Sequence, residues 1–266
     1  MNLAIQHTTT YRFSAPAEYG LQQLRLTPKS RAGQEVLTWQ MTIKGGRQEC
    51  TFTDEHLNRV DLISFEPGAT EIVVQCQGVV ETSDTAGVVG KHGGYAPLWI
   101  FDRSTPLTRA GNGVRRLTRG LRDEYDEDIP RLHALSARVL DAVPYRAGET
   151  GPETGAEDAI EIGCGVCQDH AHIFIAAART MGYPARYVSG YLMMDDRVHQ
   201  DASHGWAEVY VEPLGWVGFD VSNAISPDAR YVRVATALDY ARAAPISGLR
   251  LGQGRESLSV DIQVQQ

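Results

Sequence analysis

The chain has 266 residues, 42% of them hydrophobic, enough apolar material for a real core in one large domain or two modest ones. A formal net charge of −8 and a pI near 5.5 argue against a nucleic-acid-binding surface, which needs a clustered basic face. Four cysteines are too sparse for a disulfide framework, and no apolar stretch approaches membrane-spanning length. The opening Met1-Asn2-Leu3-Ala4-Ile5-Gln6-His7 lacks the basic region and apolar run of a signal peptide, so the expected location is cytoplasmic, with neither nucleic acid nor membrane as partner.

From the start to about Pro97 the pattern is strand after strand. Leu3, Ile5, His7, Thr9, Tyr11 and Phe13 alternate with more polar neighbours, as do Leu37, Trp39, Met41 and Ile43, and later Ile72, Val74, Cys76 and Val80. Gly45-Gly46, Asn58 and Pro67-Gly68 supply turns between them, which predicts an antiparallel sandwich or barrel over residues 1–97. Cys50 and Cys76 read as small hydrophobes at inward strand positions. Between Thr82 and Gly94 the chain turns glycine-rich and loses its period, the mark of a linker or mobile loop near a domain boundary. Helical spacing follows, with Val114, Leu117, Leu121 and Tyr125 on one face, then Leu132, Leu135, Val139 and Val143 on the next; Pro130 fits the second helix's first turn and Pro144 its end. The acidic stretch from Gly148 to Asp158 reads as a solvated loop that could also border a cleft and disfavour anionic substrates.

Residues 163–178 carry the strongest chemical signal. Cys167, Ala171, Phe174, Ile175, Ala178 and Met181 recur at helical spacing after a glycine-containing turn, and Gly182 and Pro184 stop the helix. Cys167 therefore falls in the first turn, where unpaired N–H groups and the positive end of the helix dipole favour thiolate over thiol. Downstream, Ser203-His204-Gly205-Trp206-Ala207-Glu208 opens one strand and Gly218-Phe219-Asp220 closes a second, with Glu212-Pro213-Leu214 between them. They offer a base and a carboxylate to orient it. Side chains alternate faces along strands, so His204 and Asp220 share a side only if the loop between the paired strands has an odd number of residues or a bulge intervenes. After the helix, residues 185–192 read as a strand and Met193–Ser203 as a polar loop able to act as a lid; Leu258, Val260, Ile262 and Val264 form a last strand, whose place on the core sheet or on the sandwich the pattern leaves open, the sandwich being favoured.

Gly165-Val166-Cys167-Gln168-Asp169 with Ala171-His172, then Pro184 to Tyr191, Ser203 to Glu208 and Gly218-Phe219-Asp220, together resemble the transglutaminase-like, papain-type cysteine hydrolase superfamily, in its bacterial two-part form. The opening His7 to Tyr11 and the closing Asp239 to Gly248 extend the likeness over nearly the whole chain. The resemblance implies an α+β fold: an N-terminal antiparallel β-sandwich (1–97), a papain-like core with the nucleophile helix packed on an antiparallel sheet (98–235), and a C-terminal segment (236–266). It implies that Cys167 attacks an amide or ester carbonyl, that His204 is the general base and that Asp220 holds the imidazole, with no metal or organic cofactor. Two positions depart from the family pattern. Asp220-Val221-Ser222-Asn223 stands where Asp-Pro-Thr-Asn is usual, and His170 where an aromatic is common.

Cys164, Cys167, His170 and His172 also spell a zinc-like spacing, but on a helix His170 lies roughly 60° and His172 roughly 140° from Cys167 in opposite senses, so four ligands would not converge. A thioredoxin-like reading of Cys164 and Cys167 lacks the strand that should lead into it, although oxidation of one onto the other remains a conceivable switch. His172 is read as structural, and Trp206 and Trp216 as flanking or flooring the cleft. For an oxyanion the favoured donor is the Cys167 N–H; Trp99, matching an upstream tryptophan of some family members, is a second candidate with core packing as its competing role. The expected function is acyl transfer from a peptide or amide substrate through a Cys167 thioester, as peptidase or amidase. The alternatives are a transglutaminase with an amine acceptor and a non-catalytic peptide-binding module; oligomeric state is left open.

Overall fold

The structure is a computed structural model describing residues 1–266. The first third holds strands β1 (Asn2–Phe13), β2 (Tyr19–Leu24), β3 (Gln34–Lys44), β4 (Gly46–Thr53), β5 (Arg59–Phe65), β6 (Glu71–Thr82) and β7 (Val88–Gly90). Helices α1 (Asn112–Thr118), α2 (Leu121–Glu124), α3 (Asp128–Ala142), α4 (Ala156–Ile162) and α5 (Cys167–Thr180) follow. Then come β8 (Ala185–Leu192), β9 (His199–Gln200), β10 (His204–Val211), β11 (Gly215–Phe219), β12 (Tyr231–Ala237), α6 (Tyr240–Ala243), β13 (Ile246–Leu251) and β14 (Glu256–Gln265). The class is α+β with antiparallel sheets, and no helix is long and apolar enough to cross a membrane.

Two sheets, in the orders β3-β6-β1-β14-β9 and β13-β2-β5-β4, face each other across Phe13, Leu24, Ile63, Ile72, Val74 and Cys76. The third, β12-β8-β10-β11-β7, carries α5 on one face. Alternation explains that face: Ala207, Val209 and Val211 of β10 and Val217 and Phe219 of β11 join Ile173, Phe174 and Ala177 of α5 in the largest core cluster. The opposite parity, Arg186, Glu208 and Trp216, points to the sheet's other side.

β1 spans both halves. Its Leu3 and Ile5 pack with Tyr191 of β8 and Val232 and Val234 of β12, while its Phe13 lies in the sandwich core. Between them His7 is buried and bonded to the Tyr191 hydroxyl at 2.9 Å and to Thr9 at 2.9 Å. The tail returns to this half twice, β14 along ten residues of β1 and β13 beside β2.

The structure corrects several readings made from the sequence. Cys76 is buried but Cys50 is exposed, because β4 is an edge strand whose residues from Arg47 to Thr53 are exposed on both faces. The presumed linker contributes β7, three residues too short to show a period, to the edge of the helix-bearing sheet. The helix predicted through Val114 and Tyr125 is broken at Gly120, which takes φ 77°. The acidic stretch is only partly loop, since α4 begins at Ala156. The Glu157 carboxylate accepts the N–H groups of Gly111, Gly113 and Val114 at 2.7 to 2.9 Å, closing the N-terminus of α1.

The outer edge of β12 would leave backbone groups unpaired, and two buried amides from the sandwich half close it. Gln34 accepts the Arg233 N–H at 2.8 Å and donates to its carbonyl at 2.9 Å; Asn58 does the same for Thr236 at 2.8 and 2.7 Å. Each truncation, Gln34→Ala or Asn58→Ala, is expected to lower stability by about 1–3 kcal/mol in urea unfolding, because it strands a buried donor and acceptor. Exposed Gln40→Ala should stay within about 0.5 kcal/mol of wild type. Equal losses at all three positions would show that the clamps are not what holds this edge.

Candidate active site

The turn before α5 is shaped by a carboxylate. Asp169 Oδ2, in the helix's first turn, accepts the Val166 N–H at 2.8 Å and the Thr150 hydroxyl at 2.6 Å. Gly165 is required here because a Cβ would run into that carboxylate. Tyr145 is bridged to Gly165, with the Arg146 N–H on the Gly165 carbonyl and the Gly165 N–H on the Pro144 carbonyl, so the segment after α3 runs beside the turn. Cys167 opens the helix, is partly exposed, and its N–H has no hydrogen-bond partner.

β10 and β11 pair from Ala207 with Phe219 to Val211 with Gly215, leaving the three-residue loop 212–214. The count is odd, so His204 and Asp220 fall on one side; one step beyond the last pair sets Asp220 opposite Trp206 and diagonal to His204. His204 Nε2 bonds Asp220 Oδ2 at 2.6 Å, and the Cys167 sulfur lies within hydrogen-bonding reach of the ring, to which only Nδ1 remains free. Gly205 lets β10 pass close to β8, since a Cβ there would overlap the Tyr187 hydroxyl.

Asp220 is 1% exposed and well supplied with donors. Besides His204, Oδ2 accepts the Tyr231 hydroxyl and the Asn223 side-chain amide, each at 2.7 Å, and Oδ1 accepts the Asn223 N–H at 3.3 Å. Burial alone would raise its pKa, but the bond to His204, the imidazolium charge and the Asn223 and Tyr231 bonds together hold it below the usual carboxylate value. For His204 burial acts downward. The charge of a Cys167 thiolate, the bonds to Asp220 and Cys167 and the charge of Asp220 outweigh it, and the imidazolium pKa is raised to about 10. The Cys167 sulfur, His204 and Asp220 thus form a chain in which the two acidic groups favour a charged ring between them.

The two departures from the family pattern meet each other. His170 Nε2 donates to the Val143 carbonyl at 2.6 Å, which leaves Nδ1 of the neutral ring to accept from the Ser222 hydroxyl at 2.8 Å; burial lowers its pKa. The aspartate loop is closed further by reciprocal backbone bonds between Asp220 and Ile225. His172 goes elsewhere, accepting the Tyr240 N–H at 3.1 Å, so the two helix histidines serve separate partners.

A cleft of about 480 Å³ opens over His204, lined also by Tyr145, Met193, Arg197, Ser222, Asn223 and Tyr231. Tyr145 and Tyr231 carried no local sequence signal, whereas Asn223 was visible in the Asp-x-x-Asn pattern. The loop after β8 borders this cleft and is tied at its far end, where β9 pairs with β14. Trp206 stacks beside His204, ring centres 6.2 Å apart, but does not itself line the cleft. Trp216 lies away from the cleft beneath Arg186, and Trp99 is 60% exposed on a short 3₁₀ turn, packed in no core.

Residues 114–221 match the family model described as the transglutaminase-like superfamily, and residues 3–81 that of the bacterial transglutaminase-like N-terminal region. An uncharacterized protein of Mycobacterium leprae (strain TN) is 26% identical, the match covering 98% of each chain. The crystal structure of a candidate cysteine protease from Cytophaga hutchinsonii shares the fold, with a TM-score of 0.77 and 20% identity over 100% of this chain and 90% of that one. A protein-glutamine gamma-glutamyltransferase of Pseudomonas aeruginosa is 28% identical over 150 residues, half of this chain and 22% of that protein.

A folded pKa near 10 against the ordinary 6.5 means the charged ring contributes stability that is complete below about pH 6.5 and lost as pH rises through 10. NMR titration of His204 should show imidazolium persisting through pH 8, and Asp220→Asn should move the midpoint downward. A midpoint near 6.5 in the wild-type protein would contradict the ion-pair geometry.

Proposed function

From membership of the transglutaminase-like superfamily, to which this chain belongs, we propose that it is a cysteine-dependent acyl-transfer enzyme acting on an amide or peptide bond. The observation that carries the reading is the His204 ring, bonded to buried Asp220 through one nitrogen and facing the sulfur of a helix-opening cysteine with the other.

In this reading the Cys167 thiolate adds to the substrate carbonyl carbon, and the carbonyl oxygen takes the negative charge. The unpartnered Cys167 N–H and the helix terminus stabilise that oxyanion. His204 Nδ1 gives its proton to the departing amine as the C–N bond breaks, leaving a thioester on Cys167. The neutral ring then takes a proton from water, whose oxygen attacks the thioester; the carboxylic acid leaves and the thiolate and imidazolium are restored. Asp220 keeps the ring in its tautomer and orientation throughout. An amine in place of that water would give transamidation, the reading that the Pseudomonas relative's description favours.

A binding module would have no use for an activated sulfur, which gives the test. Iodoacetamide should alkylate Cys167 faster than the exposed Cys50, and His204→Ala should slow that reaction. Cys167→Ala should remove the fast phase. Across a library of peptides and amidated substrates, Cys167→Ala and His204→Ala should each lose about a thousandfold or more of wild-type turnover. Adding an amine acceptor partitions hydrolysis from transamidation. Slow alkylation together with no turnover in the wild-type chain would sink the enzyme reading.

A further inference from the structure

A cluster of cations on the side of the catalytic sheet turned away from α5 has no part in this chemistry. Arg186 of β8 and Arg233 of β12 both bind Glu208 of β10, at 2.6 and 2.8 Å, and Glu208 is fully buried. Lys29 and Arg31, from the segment after β2, and Lys91, after β7, line the same hollow of about 340 Å³. None of these last three side chains makes a hydrogen bond or ion pair. Five cations therefore line one hollow, three of them with no carboxylate partner, in a chain whose net charge is −8. Asp54, the other carboxylate near Lys29, is already engaged by Arg25, the Asn58 amide and the N–H groups of His56 and Asn58.

A sixth group points the same way. The His56 side chain is only 4% exposed and lines the hollow, yet neither ring nitrogen has a hydrogen-bond partner; the nearest carboxylate oxygen, on largely exposed Glu55, is 3.9 Å from Nε2. Burial lowers its pKa, so at neutral pH the ring offers one N–H donor. Burial and the neighbouring Arg233 also lower the pKa of Lys29, and that of Arg31 to about 10, the signature of like charges held together out of water.

We propose that this hollow binds a small, multiply charged oxyanion of the phosphate class. Guanidinium forks and an imidazole N–H match phosphoryl oxygens, and an anion would relieve the repulsion among the cations. The volume suits phosphate or diphosphate rather than a macromolecular segment. A nucleobase finds no open aromatic face, because Trp216 is 1% exposed and covered by the Arg186 guanidinium at 3.8 Å.

The test is calorimetric titration and thermal unfolding of the full chain with inorganic phosphate and with diphosphate, against sodium chloride at matched ionic strength. Both anions should bind and raise the Tm, diphosphate more strongly, while chloride should not. Lys29→Gln combined with Arg31→Gln removes two side chains that the fold does not use. Its ligand-free Tm should equal or exceed the wild-type value, and its affinity for diphosphate should fall at least about tenfold. Lys91→Gln, at an exposed position, supplies a second variant with an expected loss of about threefold, and Lys44→Gln with Arg47→Gln, on the far side of the sandwich half, should bind as wild type does. A chloride effect equal to that of phosphate, no heat or Tm change with diphosphate, or unchanged affinity in both pocket variants would overturn the proposal.

Discussion

A carboxylate almost wholly withdrawn from water has to be met by donors, and around Asp220 the chain supplies them from three directions. His204 comes from the adjoining strand, Asn223 from the loop that Asp220 itself begins, and Tyr231 from the far edge of the sheet. Because the same oxygen serves all three, the imidazole cannot swing without breaking a bond in a place where water does not replace it. The orientation of His204 toward Cys167 is thus a consequence of how Asp220 is buried.

The sheet that carries this chain of groups is divided by parity. One set of alternate residues is apolar and seals against α5, which fixes where the helix starts and hence where the Cys167 sulfur stands. The other set carries the polar and aromatic groups Trp206, Glu208 and Arg186, with Val188 between them. A one-residue slip of β10 against β11 would exchange the two sets, burying charge against the helix and separating His204 from Asp220. Register is therefore held by hydrophobic packing on one face, and the polar face inherits its geometry.

Features that depend on local period or counting were legible in the sequence. The face of α5, the existence of β14 and the parity condition that the three-residue loop 212–214 meets all follow from spacing within a few residues, whereas the pairing of β14 with β1 does not. What was not legible rests on contacts across the chain or on strands with no clean alternation. Asn58 reads as a turn residue and Gln34 carries no signal, yet their partners lie 178 and 199 residues away. Tyr231 sits on a strand whose link to Asp220 only the sheet order creates. Cys50 lies on an edge strand exposed on both faces, which alternation alone does not reveal, and the long Trp99 side chain suited a core position that the exposed 3₁₀ turn does not provide.

The sandwich half does more than sit beside the helix-bearing sheet. β1 packs its amino-terminal end onto β8 and β12, β9 leaves the loop bordering the cleft to pair with β14, and Gln34 and Asn58 close the edge of β12. Tyr231, which holds Asp220, and Arg233, which the Gln34 side chain grips, are neighbours on that one edge strand. A disturbance at this edge therefore has a short covalent path to the carboxylate that orients the imidazole, two residues along β12. Removal of the sandwich strands would leave the outer edge of β12 without partners while its ladder to β8 remained, so the two halves are mechanically coupled next to Tyr231 and Asp220.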